Sequence, residues 1–368
     1  MRVAFIHNSV PEYRIEFMRQ LSNKCDVKYL ITDPKLAQKV YGVVNINTVN
    51  VDIVNMSGFT QLKDEIKKYC PDIIVVPPVD DFYQFFCGIY AICIARLIRS
   101  KLVFWSEGWE SFNMPFVKKC KKKVHRCMKF IIARLCDQCI ASGSRSAMYF
   151  KTLGVDTGRI AVAYDSSTSP ICADINIRAK CNIPLDARIV LFLGRIVQRK
   201  GLDLLIKAVA SLKEDNVYLV VAGDGEHKSA CEKLVTDLNF EEKVKFIGKI
   251  QPDSRAAYFR AADVFVLPSF TLGGTIEAWG LTVNESLEQG TPVIATNAVG
   301  AAYDLLDGKC GSMVKENNVF ELAEAIRHYI DKPKSELVSK YCRERYEKFS
   351  VKNMANDFYK TFKYTLSN

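Results

Sequence analysis

The chain has 368 residues, 49% of them apolar and 25% charged, the make-up of a globular protein that forms a core. Its formal net charge of +10 favours an anionic partner (a membrane surface, a nucleic acid or a phosphorylated substrate) without choosing among them. Thirteen cysteines, an odd number lying mostly in apolar segments, argue against a disulfide framework and for small buried hydrophobes in a reducing cytoplasm.

The chain starts on Met1-Arg-Val-Ala-Phe-Ile-His7, a predicted buried strand too short for a signal peptide and followed by no cleavage site. Further strands are predicted at Val27–Ile31, Ile73–Val76, Leu102–Trp105, Cys139–Ser142 and Ile160–Tyr164. Helical periods lie between them at Ile15–Leu21, Gln61–Tyr69, Phe82–Ile98, Val117–Leu135 and Arg145–Leu153. Phe82–Ile98 carries Gln84 and Arg96 and falls short of the ~20 apolar residues of a spanning helix, so it is expected to be a buried one. Cys136-Asp-Gln-Cys139, with Cys120, Cys127 and His125 nearby, has a zinc-like spacing. Cys120 and Cys127 also recur with Val117, Val124 and Ile131 at helical period, which places them on a core face.

Asp165 to Pro184 breaks this rhythm with Ser, Thr, Pro and Asn and is the linker candidate. The alternation then restarts with strands at Val190–Leu193, Tyr218–Ala222, Val244–Ile247, Val264–Leu267 and Val293–Ala295. Helices are expected at Gly201–Leu212, Lys228–Leu238 and Arg255–Ala262, with a charged helical run from Val319 to Leu366. Strands separated by helices predict an α/β fold with two parallel, Rossmann-like sheets. The expected division is 1–165, a linker over 166–187, a second domain over 188–345 and a C-terminal helix over 346–368. Two such domains would face a cleft, a common place for a ligand.

The chemistry concentrates in the second half. Glu277 and Glu285 flank Gly280-Leu281-Thr282, between a strand and a helix expected to start near Gly280. Ligands of open α/β sheets bind at such strand ends, and the helix tip suits a phosphate. A carboxylate on either side would then meet hydroxyls, as in a nucleotide sugar. Gly194-Arg195 and Arg199-Lys200-Gly201 end the domain's first strand and bring cations to the same edge, where arginine can grip a phosphate bidentately. Gly223-Asp224-Gly225 and Gly248-Lys249-Ile250 follow the next two strands, where a base could lie against backbone.

Gly194-Arg195…Lys200-Gly201, Gly223-Asp224-Gly225, Pro268-Ser269…Glu277…Gly280-Leu281…Glu285 and Gly290-Thr-Pro292-Val-Ile294 together resemble the retaining glycosyltransferases of family 4. The match is dense from about Val190 to Leu306. The first half resembles the family's acceptor-side domain more loosely, through His7-Asn8…Pro11-Glu-Tyr13-Arg14 and Trp105-Ser-Glu107-Gly108. The resemblance implies the GT-B fold, with the C-terminal helix crossing back to the first domain. It also implies metal-independent transfer from a nucleotide sugar, with no cofactor beyond that donor, and an α-linked product. Arg195 and Lys200 would neutralise the diphosphate, Gly280, Leu281 and Thr282 would offer it backbone donors, Glu277 would hold sugar hydroxyls and Glu285 the ribose. Gly194, Gly223 and Ile250 complete the donor set. Such electrostatic stabilisation of a leaving group needs no metal when enough donors converge.

Two departures stand out. The family's glycine pair after the first strand is replaced by His7-Asn8-Ser9-Val10-Pro11. Where many members carry a histidine after the strand matching Leu102–Trp105, this chain has Ser106-Glu107-Gly108. Glu107 is therefore the catalytic candidate on the acceptor side, with His7, Tyr13 and Arg14 around it. Arg14 would either grip an acceptor phosphate or be exposed.

A dinucleotide-dependent oxidoreductase would need Gly-x-Gly-x-x-Gly after the first strand, where His7-Asn8-Ser9 stands. A non-catalytic nucleotide-sugar-binding or membrane-scaffolding protein of the same fold is the alternative. The expected partners are a nucleotide sugar, a saccharide or lipid-linked acceptor in cell-surface polysaccharide or glycolipid assembly, and no nucleic acid. Over 116–135, Val117, Cys120, Val124, Cys127, Met128, Ile131 and Leu135 form an apolar helical stripe among Lys118, Lys119, Lys121, Lys122, Lys123, Arg126, Lys129 and Arg134. Such a helix suits an anionic leaflet, which predicts a cytoplasmic protein on the inner face of the cell membrane.

Overall fold

Apolar β-branched runs bounded by polar turns become buried strands in both halves of the chain. The computed structural model describes residues 1–36, 50–109, 116–169, 175–212, 216–331 and 334–368, with the backbone alone at 116–121. Among these, one compact unit holds 1–109, 116–167 and 351–368, and a second holds 168–350.

In the first unit, β1 (Arg2–His7), β2 (Asp26–Ile31), β3 (Asp52–Asn55), β4 (Ile73–Val76), β5 (Lys101–Ser106), β6 (Gln138–Ala141) and β7 (Ile160–Val162) form one parallel sheet. Its order is β3-β2-β1-β4-β5-β6-β7, with Val3 opposite Val27 on one side and Ile73 on the other. The strand order reverses between β1 and β4, and the loops after those two strands flank that switch point.

Helices Phe59–Tyr69, Phe82–Ile98, Phe116–Leu135 and Ser144–Thr152 cover one face, burying Ile66, Ala91, Ile132 and Phe150. Helix Phe82–Ile98 begins where the Asp81 carboxylate accepts from the backbone N–H of Gln84 at 2.8 Å, an N-cap that occupies one orphan donor. Gln84 is buried inside it and accepts from the Thr32 hydroxyl at 2.9 Å, so this polar side chain does not weaken the core. Helices Glu12–Ser22 and Val351–Ser367 cover the other face. There the Phe358 ring lies 4.9 Å from that of Phe17 and 5.4 Å from that of Trp105.

In the second unit the order is β10-β9-β8-β11-β12-β13, from β8 (Arg188–Leu193), β9 (Val217–Ala222), β10 (Val244–Gly248), β11 (Val264–Leu267), β12 (Val293–Thr296) and β13 (Gly311–Val314). The sheet is again parallel, and its switch point lies between β8 and β11.

Several expectations are corrected. Strands β3 and β13 were not predicted; both are sheet edges with mixed burial. The predicted linker shrinks, because helix Ile177–Lys180 already belongs to the second unit, with Ile177, Cys181 and Ile183 in its interior. The charged run from Val319 is three helices, Val319–Ile330, Glu336–Lys348 and Val351–Ser367. Only the last belongs to the first unit, so the expected division at 346 falls at Ser350. The helix expected near Gly280 starts at Thr282 and is seven residues long.

The stripe on Phe116–Leu135 also differs from its reading. Its core residues are Met128, Ile132 and Ala133, whereas Val124, Cys127, Phe130 and Leu135 are exposed and Ile131 is partly so. Cys127 therefore leaves the core face, while Cys136 and Cys139 stay buried in it. The side chains of Val117, Lys118, Lys119, Cys120 and Lys121 lie outside the described residues.

Candidate functional site

The loop after β8 makes the second unit's charge cluster. Gln198–Lys200 form one 3-10 turn that ends at Gly201 with φ +68°. A Cβ on Gly201 would stand 2.2 Å from the Pro268 carbonyl oxygen, so glycine alone lets this loop lie against the end of β11. The N–H of Phe270 donates to the Arg199 carbonyl at 2.9 Å and fastens the two loops together. As a result Arg199 and Lys200 both reach the Glu277 carboxylate, at 2.6 and 2.8 Å.

Glu277 is itself fixed through its backbone. Its N–H donates to Ala298 and its carbonyl accepts from Gly300, both at 3.1 Å. Burial would push its carboxyl up, but Lys200 and Arg199 outweigh burial and hold it at about 2. The carboxylate is thus ionised at any physiological pH and competent to accept hydrogen bonds from hydroxyls.

Gly280, with φ +101°, turns the chain between Glu277 and the helix Thr282–Glu288; a Cβ there would meet Val299 and Leu267 at 2.9 and 3.0 Å. Leu281 precedes this helix and Thr282 opens it. Glu285 is its fourth residue and is 2% exposed, with Arg255 3.4 Å away. Arg195 is exposed and, among the described residues, forms no ion pair. Gly194 and Gly223 continue the β-ladder into the loops, through Gly194 N–H to Ala222 at 3.0 Å and Gly223 N–H to Gly248 at 2.8 Å. Ile250 stands just past the end of β10 and is half-buried. The loops after β8 and β11 therefore bring Lys200, Glu277, Gly280 and Glu285 to one side of the switch point, with Arg195 and Gly223 on neighbouring turns.

The first unit carries a different cluster, at the ends of β5 and β7 and on the helix after β1. Arg14 is 2% exposed and not the exposed cation or phosphate grip expected from the sequence. Its guanidinium donates to Asp165 twice and to Glu107, with one Asp165 contact at 2.9 Å. It also lies over the rings of Trp105 and Tyr13 at 4.8 and 5.1 Å. Two carboxylates on one guanidinium leave the group net negative, which disfavours an acceptor phosphate.

Desolvation pushes the Glu107 carboxyl up; Arg14 pulls it down, and Asp165 and Asp80 oppose that pull. The net shift is upward, although the side chain is 39% exposed. Burial, reinforced by Arg14, lowers His7 to about 4, so the ring is neutral. Its Nδ1 lies 2.8 Å from the Ser9 carbonyl, which makes Nδ1 the donor and leaves Nε2 as an acceptor. Asn8 donates to Asp80 at 3.0 Å, joining the loops after β1 and β4.

Sequence reasoning missed Asp165, Asp80 and Arg255 as members of these clusters, and read Arg199 as a minor cation. Asp165 follows the last strand of the first sheet, and its partner Arg14 lies 151 residues away in sequence.

A surface feature accompanies this cluster. Helix Phe82–Ile98 exposes Phe82, Phe86 and Leu97 to 58%, 56% and 76%, and Arg96 on it donates to the Leu135 carbonyl at 2.8 Å. The neighbouring helix adds Val124, Phe130 and Leu135 together with exposed Lys123 and Arg134. Among the described residues no helix is long and apolar enough to cross a membrane.

Two open parallel sheets of this kind are those of the GT-B fold. Over 99% of this chain and 100% of the other, the structure aligns with Anabaena Alr3699/HepE in complex with UDP, at TM-score 0.79 and 16% identity. The lipopolysaccharide outer core galactosyltransferase WaaB aligns over 98% and 99%, at TM-score 0.72 and 14% identity. Residues 174–348 match the family described as Glycosyl transferases group 1. The chain is 40% identical, over 153 residues (42% of each chain), to the lipopolysaccharide core biosynthesis glycosyltransferase LpsE of Rhizobium meliloti. It is 30% identical, over 198 residues (53% of this chain and 50% of the other), to a GDP-mannose-dependent alpha-(1-6)-phosphatidylinositol monomannoside mannosyltransferase of Mycolicibacterium smegmatis. The matched segments span about half the length of these curated relatives.

Proposed function

We propose that the protein is a retaining, metal-independent glycosyltransferase that moves a sugar from a nucleoside-diphosphate sugar to an acceptor hydroxyl in cell-surface polysaccharide or glycolipid assembly. The observation that carries this reading is the cation-rich cluster at the second sheet's switch point, where Arg199 and Lys200 meet Glu277. Arg195 and Lys200 stabilise the diphosphate as the sugar–phosphate bond breaks, Glu277 accepts sugar hydroxyls and Glu285 the ribose. Local excess of positive charge is what a departing diphosphate needs in the absence of a metal. Names of relatives in lipopolysaccharide core synthesis and phosphatidylinositol mannoside synthesis support the product class.

Thermal unfolding across a panel of UDP-, GDP- and ADP-sugars tests the donor site, since a ligand of the native state raises stability by mass action. The expected outcome is a rise with one nucleotide series, undiminished by a chelator, followed by slow release of the nucleoside diphosphate. Stabilisation with no release under any acceptor would instead favour a non-catalytic nucleotide-sugar-binding protein.

The membrane reading has its own support. Exposed Phe82, Phe86 and Leu97 lie on a helix packed beside one rich in Lys and Arg, which itself exposes Phe130 and Leu135, the composition of a face that rests on an anionic leaflet. The protein would then work peripherally on the inner face of the cell membrane, where a lipid-linked acceptor is found. Co-sedimentation with anionic and neutral vesicles at low and high salt tests this. Binding that ignores lipid charge, or that survives Lys122→Gln with Lys123→Gln and Phe86→Ser unchanged, overturns it.

A further inference from the structure

Arg199 is the residue whose geometry goes beyond the donor-site reading. We propose that Arg199 is a positioning residue for Glu277 and, through it, sets which sugar the site accepts. This rests on the donor-site assignment given above, in which Lys200 serves the diphosphate and Glu277 the sugar.

The argument starts from a conflict of duties. Glu277 and Lys200 are ion-paired at 2.8 Å, yet a lysine that turns to a diphosphate no longer neutralises that carboxylate. The Glu277 side chain is only 15% exposed, and a carboxylate so placed is costly without a cation. Arg199 supplies one. It approaches the same oxygen, Oε2, at 2.6 Å, and its own side chain is 21% exposed. Its backbone is held, because its carbonyl accepts from Phe270 N–H at 2.9 Å and Gly201, two residues on, lies against Pro268.

Arg199 thus remains on Glu277 whichever way Lys200 turns. With Oε2 gripped, Oε1 keeps a defined direction for a sugar hydroxyl. A guanidinium is suited to this because its donors lie in a rigid plane, whereas an ammonium fixes a charge but not a direction. Stereochemistry at one sugar carbon is then read by a carboxylate whose angle Arg199 determines.

The test uses the full chain with UDP and GDP as nucleotide probes and UDP-glucose, UDP-galactose and GDP-mannose as donors, reading release of nucleoside diphosphate. Arg199→Gln should lower kcat by about tenfold or more while leaving affinity for the bare nucleoside diphosphate within about twofold, since a charge-assisted contact is lost only on the sugar side. Discrimination between the UDP-glucose and UDP-galactose epimers should narrow. Its acid limb should move to higher pH, because Glu277 loses one of the two cations that hold it at about 2. Arg199→Lys should restore the acid limb but not epimer discrimination. Unchanged kcat and discrimination in Arg199→Gln overturn the proposal. So does a loss of bare nucleotide affinity, which would make Arg199 a phosphate contact. If Arg199→Gln does not fold, Arg199→Lys decides: wild-type discrimination in it overturns the role. A wild-type chain that binds neither UDP nor GDP overturns the donor-site reading itself, a result separable from all of these.

Discussion

The two units use one topology for opposite electrostatics. At the second sheet's switch point two cations share one carboxylate, Arg199 and Lys200 on Glu277. At the strand ends of the first sheet two carboxylates share one cation, Asp165 after β7 and Glu107 after β5 on Arg14. The counting is simple: one site is left net positive and the other net negative. Fold alone therefore does not assign roles; the side chains that the loops carry do. A positive loop suits a diphosphate leaving group, and a negative one suits hydroxyls. The comparison also explains why Arg14 is not a phosphate grip, although it follows the first strand much as Arg195 follows β8.

The largest expected effect breaks the first-unit cluster. Arg14→Ala removes the cation that the fully buried Asp165 shares with Glu107, and removal of one partner from a buried pair costs about 3–5 kcal/mol. Urea unfolding should show a midpoint shift of that size, and an unchanged midpoint would mean that the ion triad does not support the fold.

The next effect belongs to the second unit. Arg195→Ala or Lys200→Ala should each slow transfer by ten- to a hundredfold, for about 1.5–3 kcal/mol of charge-assisted hydrogen bonding. Neither should lower stability as Arg14→Ala does, because Arg195 is exposed and Glu277 keeps Arg199 when Lys200 is lost. Near-wild-type turnover in both variants refutes the diphosphate role.

A smaller contrast separates the two glutamates. Glu285→Gln should weaken the bare nucleoside diphosphate by about tenfold, the value of one hydrogen bond to a charged group. Glu277→Gln should leave that affinity alone and lower turnover. Calorimetry decides, and equal losses in both would merge the two roles.

The smallest effect concerns His7. Its folded pKa of about 4 lies below the unfolded value of 6.5, so the unfolded chain binds more protons between those values. Stability should be full above pH 6.5 and fall as pH drops toward 4. Because the ring is only partly buried, the loss should be on the order of 1–2 kcal/mol. In His7→Gln this fall should vanish; if the pH dependence persists, another group causes it.

Much of this organisation was legible before any coordinates. Central strands such as Val264–Leu267 are apolar throughout and buried throughout, so pattern and structure agree. The two unpredicted strands, Asp52–Asn55 and Gly311–Val314, lie at sheet edges. One side of each lacks a neighbour, and their residues alternate too weakly to register as strands. The helix Phe116–Leu135 was legible, but the choice of its buried face was not. Of the described residues of the expected stripe only Met128 is in the core, joined there by Ile132 and Ala133, whereas Val124, Cys127 and Leu135 are exposed; both faces repeat with the same period.

The loops after β8 and β11 were legible as motifs, because Gly201, Lys200 and Glu277 follow the ends of predicted strands. The pairing of Arg199 was not. Which way a side chain leaves a 3-10 turn depends on the loop it packs against, here Pro268 and Phe270. Asp165 was least accessible of all, since it meets Arg14 across a sequence separation of 151 residues, and no local pattern encodes that distance.

Helix Val351–Ser367 has a consequence for synthesis. It supplies Met354, Ala355, Phe358 and Phe362 to a core whose other members, Phe5, Phe17 and Trp105, are translated first. A chain growing at about 5–20 residues per second will carry that aromatic face uncovered for the whole time the second unit takes to be made. The second unit can close its own sheet meanwhile, since β8 to β13 all lie between residues 188 and 314. The domain that begins the chain is thus the one that finishes folding last. Between those moments its exposed rings are what a nascent-chain chaperone, or a neighbouring copy on the same messenger, would encounter.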